Sequence, residues 1–229
     1  MSFAEWMRRR SEPDWTAVVE HPFAAALCDG SLPEAAMRSY LVQDHQFLDD
    51  ALALLGSALA KADRRESRRR IAGGIGAVTD EVTGYFRRAF DALGVPEAER
   101  ERARRDEAAE AFHQLISDTV ARGDYADVLS VLVVVEWSYL GWAQRAPQPR
   151  PTGADPLLPG RAEPVRDFVQ AEWISLHDNP EFVAWVDWLR AELDRVGGEL
   201  DERDQAHCLR LFQQATRCER DFFDAHWPG

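Results

Sequence analysis

Residues 124–145 read DYADVLSVLVVVEWSYLGWAQR. The valine run from Val131 to Val135 favours a strand locally. Asp124 with Asp127 three residues on forms a helix-start signal, however, and the apolar pattern continues through Tyr139, Leu140 and Ala143, too long for one strand. The stretch is therefore expected to be a helix, apolar all round for about three turns and so packed by neighbours on every face. It carries one charge in the middle, Glu136. A lone buried carboxylate costs several kcal/mol unless it is paired, hydrogen-bonded or protonated. Glu136 is therefore the first candidate for the working carboxylate of a small-molecule site.

Working outward, helical signals recur along the whole chain and no convincing strand is found. The N-terminal segment reads as a helix broken at Pro13, with His21-Pro22-Phe23 at its far end. Ser31 is the expected N-cap of a long helix to about Ala62, with Pro33 in its first turn. A helix carrying Ile71, Ile75, Val78, Val82, Phe86 and Phe90 on one face is expected to run on to Gly94, with Asp80 and Glu81 at the edge of that face. Gly73 and Gly74 allow close helix approach. Five arginines between Asp63 and Arg70 read as a solvated corner. A Pro/Gly-rich loop spans about 146–164, followed by a helix through Phe168, Val169 and Trp173, a break at HDNP (177–180), and helices over about 180–196 and 199–226. A single all-α domain over residues 1–229 is expected.

Two further carboxylates fall on apolar stripes. Asp44 lies four after Tyr40 and three before Phe47, and Glu219 lies four after Ala215 and three before Phe222. Any one such residue more often reaches solvent or an arginine. Three of them, on three helices and each flanked by aromatics, suit a flat nitrogen heterocycle: rings stack on it while a carboxylate accepts a paired hydrogen bond from its N–C–N edge.

Other classes fit poorly. The net charge of −13 argues against nucleic acid as partner. No apolar run is read as a membrane span, and no hydrophobic leader core is seen. Cys28, Cys208 and Cys218 lack metal-ligand spacing and read as reduced thiols of a cytoplasmic protein. There is no G-x-S-x-G, P-loop or dinucleotide fingerprint. Only one E-x-x-H occurs, Glu110 with His113, where a di-iron bundle needs several.

Ordered along the chain, HPF (21–23), DGSLP (29–33), YLVQDHQF (40–47), GGI-x4-DE (73–81), EWSY (136–139) and ERDFF (219–223) resemble the TenA (thiaminase II-like) family, of heme-oxygenase-like helical fold. The resemblance is greatest to the glutamate branch, TenA_E, which lacks the catalytic cysteine. It implies metal-independent hydrolysis of a C–N bond on amino- or N-formylamino-methylpyrimidine in thiamin salvage, with no cofactor, by a homodimer or homotetramer. By the same resemblance Glu136, Glu219 and Tyr139 are catalytic, while Asp44, Phe47, Tyr40 and His177 bind substrate. Phe47, Ala111 and His177 depart from the hydroxyl-bearing residues common in the cysteine branch. Two alternatives stay open. One is a metal-dependent oxidase of the same fold, in which Glu136 is a ligand and Arg88 occupies a desired histidine position. The other is a non-catalytic pyrimidine-binding or accessory protein.

Overall fold

The computed structural model describes residues 1–79, 83–146 and 168–229. Within them the chain forms twelve helices and no strand. These are α1 (Phe3–Arg10), α2 (Asp14–Val19), α3 (Pro22–Asp29), α4 (Glu34–Lys61), α5 (Arg65–Ala77) and α6 (Thr83–Ala92). They continue with α7 (Glu97–Arg102), α8 (Glu107–Arg122), α9 (Tyr125–Ala143), α10 (Phe168–His177), α11 (Pro180–Gly197) and α12 (Glu202–His226). Asp80, Glu81, Val82 and the Pro/Gly-rich loop beyond Ala146 lie outside the described residues.

The centre is α9. Asp124 caps it in a reciprocal box, its carboxylate accepting from the Asp127 N–H and that of Asp127 from the Asp124 N–H, each at 3.0 Å. Helices α12, α11, α4, α2, α10, α8 and α3 all pack on it. By length and composition α9 could cross a membrane, contrary to the sequence expectation, but here it is enclosed by protein.

Several expected boundaries move. His21 opens a helix rather than closing one: its Nδ1 accepts from the Phe23 N–H at 3.1 Å, and Pro22 takes the first helical position, where its missing N–H costs nothing. Ser31 is not the cap of α4. Pro33 takes that position, and the Ser31 N–H donates to Asp29 Oδ1 at 2.9 Å in a side-chain-closed turn. The helix expected to run on to Gly94 appears as α5 and α6. The last helix starts at Glu202 because Asp201 supplies the capping oxygen.

Gly74 does permit close approach, since a Cβ there would sit 3.0 Å from the Trp185 ring, whereas one at Gly73 would meet nothing within 4 Å. Tighter still is Gly197, where a Cβ would lie 2.0 Å from Phe3 Cδ1. Gly197→Ala is therefore expected to cost about 1–3 kcal/mol by overpacking, seen as a lower urea midpoint with unchanged slope.

Two apolar clusters share the interior. One gathers Phe23, Tyr40, Trp142, Trp173, Phe222 and Phe223, the other Trp15, Leu55, Leu129, Leu132, Leu189 and Phe212. Helices α4, α9 and α12 thread both. Asp44 lies between Leu41 and Leu54, Glu136 between Val134 and Tyr139, and Glu219 between Ala215 and Phe222. All three carboxylates thus occupy the seam between the cores.

Candidate active site

At that seam lies a cavity of about 430 Å³, walled by Phe47, Leu48, Leu55, Val135, Trp173, Phe182 and Trp185. Asp44, Glu136, Tyr139 and His177 also line it. A second, water-sized cavity adjoins it through the shared residues Asp44, Phe47 and Tyr139, and is further lined by Glu219, Asp50 and Arg105.

Asp44 is buried, and burial raises its carboxyl to about 7 against the opposing hydrogen bonds of Tyr139 and Tyr40. Tyr139 Oη donates to Asp44 Oδ1 at 3.3 Å and sits 2.8 Å from Tyr40 Oη. Tyr40 is fully buried among Phe23, Phe222 and Phe223 and lines neither cavity. The sequence expectation of direct ligand contact is therefore corrected: Tyr40 positions Tyr139 from behind.

Glu136 is only half-buried because its carboxylate opens onto the cavity. The apolar surroundings raise it to about 7, opposed by a hydrogen bond from Trp185. Glu219 is 1 % exposed, and its Oε1 has no hydrogen-bond partner among the described residues. Burial first, then the negative charges of Asp44 and Glu136, hold it well above the ordinary glutamate range. The set therefore contains one carboxyl pushed toward its protonated form and two lifted to about 7.

His177 is within 4.5 Å of Trp173, ring centre to ring centre, and its Nδ1–H donates to the Trp173 carbonyl at 2.8 Å. Desolvation lowers its pKa to about 4, so it stays neutral with Nε2 as an acceptor. Phe47 packs on Phe112 with ring centres 5.1 Å apart. Ala111, expected near the pocket, is exposed on an outer groove instead, because the inward positions of α8 are Ala109 and Phe112.

Some lining groups escaped sequence reading. Phe182 and Trp185 lie on α11, where their three-residue spacing was the available signal. Arg69 and Arg70, expected in a solvated corner, line the cavity mouth. Asp50 is buried behind the small cavity, 2.7 Å from His113 Nδ1 and 3.3 Å from Arg105. His113 is thus engaged by Asp50. Among the described residues no group of three or more potential metal ligands converges.

Fold and site together define an all-α bundle whose core opens at one carboxylate-lined aromatic cavity. The chain belongs to the TENA/THI-4/PQQC family, which it matches over residues 8–228. It is 24 % identical to an aminopyrimidine aminohydrolase of Halalkalibacterium halodurans, over 98 % of this chain and 95 % of that one. It is 20 % identical to an aminopyrimidine aminohydrolase of Helicobacter pylori, over 98 % of each. Among solved structures, a TenA family transcription regulator from a Silicibacter species superposes with a TM-score of 0.82 at 21 % identity, covering 98 % of this chain and 96 % of its own. A TenA homologue from Pyrococcus furiosus gives 0.81 at 18 % identity, covering 98 % and 100 %.

Proposed function

We propose that the protein is an aminopyrimidine hydrolase of thiamin salvage, cleaving the exocyclic C–N bond of amino- or N-formylamino-methylpyrimidine without a metal. The observation that carries this reading is the placing of Asp44 and Glu136, each lifted to about 7, on one aromatic cavity, with Glu219, raised by burial and by their charges, on the small cavity that adjoins it. The full-length relatives named aminopyrimidine aminohydrolase support it.

Asp44 accepts from the exocyclic amino group and shares a proton with the adjacent ring nitrogen, and Trp173, Phe182 and Phe47 sandwich the ring. Glu136, ionised in part at neutral pH, takes a proton from the attacking water. Glu219, held protonated, gives its proton to the leaving nitrogen. Tyr139, fixed by Tyr40 and Asp44, orients these groups, and His177 Nε2 accepts from the substrate's arm. The three free cysteines fit a reduced, cytoplasmic setting, and the proposed assembly is a homodimer or homotetramer, to be read by light scattering on the purified protein.

The test is a product assay. Chelator-treated protein is incubated with each methylpyrimidine and the products are separated by chromatography. Release of ammonia or formate by the treated protein supports the reading. Tight binding without product supports a non-catalytic binder, and no turnover of either substrate together with metal found in the untreated protein supports the oxidase class. Asp44→Asn is expected to raise KM about 10–100-fold, since an amide cannot carry the proton shared with the ring nitrogen and a lost charge-assisted bond is worth about 1.5–3 kcal/mol. An unchanged KM would remove Asp44 from ring recognition.

A further inference from the structure

The cavity is larger than the proposed ring requires. About 430 Å³ is the range of drug-sized ligands, not of one substituted six-membered ring. Its two ends also differ in charge. Asp44 and Glu136 stand at the buried end, while Arg69 and Arg70 line the exposed mouth. Among the described residues, neither arginine side chain forms an ion pair or hydrogen bond. With Arg64, Arg65 and Arg68 they make a concentrated positive patch in a chain of net charge −13. Glu181 is the one acidic residue among the described lining residues of the mouth, so two guanidinium groups leave it net positive. Between the ends, α5 presents Gly73, where a Cβ would meet nothing within 4 Å. The wall is bare backbone there, and an arm can lie along it from ring site to mouth.

We propose that the ligand carries an oxyanion, a phosphate ester or a carboxylate, on the arm beyond the pyrimidine ring, and that Arg69 and Arg70 bind it at the mouth. The inference rests on the aminopyrimidine reading of the buried end. Guanidinium groups suit this task because they stay charged and present forked donors to tetrahedral or planar oxyanions.

The test needs no turnover. Trp173 and Trp185 line the cavity, so their fluorescence reports binding. Wild type is titrated with the neutral hydroxymethyl aminopyrimidine, its phosphate ester and its carboxymethyl ether, none with a C–N bond to cleave on the arm. One or both anionic ligands are expected to bind about 10–100-fold more tightly than the neutral one, and the one that gains identifies the source of the oxyanion. The gain is expected to shrink with salt and to vanish in the double variant Arg69→Ala/Arg70→Ala, while neutral affinity holds. Both arginines are exposed, so the variant is not expected to unfold. Neutral binding with no anionic gain, or a gain that persists in the double variant, overturns the inference and leaves the aminopyrimidine reading standing. Binding of none of the three overturns both.

Discussion

Glu136→Gln is expected to lower kcat by about 10²–10⁴-fold while KM stays within about threefold of wild type. Glutamine keeps the shape and the hydrogen bond from Trp185 but cannot accept a proton from water. The ring is held elsewhere, by Asp44 and the aromatic walls, so ground-state binding survives. The pH profile gives an independent readout. Because Glu136 titrates near 7, wild-type kcat/KM rises as pH increases toward 7 and the base ionises. Asp44 titrates in the same range. The wild-type acid limb is therefore expected to be steeper than for one proton, and that of the residual Glu136→Gln activity to fall to slope one. Equal turnover in the variant, or a large KM rise with kcat unchanged, would make Glu136 a binding residue.

The second large effect belongs to Glu219→Gln. A buried amide cannot protonate the departing nitrogen, and kcat is expected to fall about 10²–10³-fold. The loss should depend on the leaving group. An amine needs the proton, whereas a pyridinium-type leaving group departs already neutralised, so a substrate carrying one should lose far less. A uniform loss on both substrates would mean that Glu219 shapes the cavity without acting as the acid.

The same substitution has an opposite effect on stability. Folding holds Glu219 protonated well above the ordinary glutamate value of 4.5. Above that value the unfolded chain binds fewer protons than the folded one, so stability falls as pH rises through the window up to the folded-state pKa. Asp44 and Glu136 act in the same direction, each lifted to about 7. Wild type is thus expected to melt lower at pH 8 than at pH 5. Glu219→Gln is expected to flatten that slope and raise the melting temperature at pH 8. A variant less stable than wild type at pH 8 would show that the carboxyl supports the fold. An enzyme that is slower yet firmer is the expected signature of a group kept in an unfavourable place for its chemistry.

Much of this was legible in the sequence because it depends on neighbours along the chain. Helix existence follows from periodicity. The start of α9 follows from Asp124 and Asp127, and the inward faces of α4, α9 and α12 follow from counting threes and fours, which placed Asp44, Glu136 and Glu219 inside. The misread boundaries have local causes too. His21 and Pro33 cap their helices with less common chemistry than a serine or aspartate, so the eye passes to Ser31.

Tertiary structure alone decided how those faces meet. Whether a residue one turn from Asp44 touches the ligand depends on the rotation and crossing of a helix some hundred residues away, which no local pattern encodes. Tyr40 therefore stands behind Tyr139 instead of in the cavity, Glu219 reaches the site through a second, water-sized space, and Arg69 and Arg70 turn from a solvated corner into the mouth. The sequence by itself determined an all-α chain with three inward carboxylates. Packing two apolar cores against each other placed those carboxylates on one seam, because polar groups left over by both cores gather where neither can exclude them.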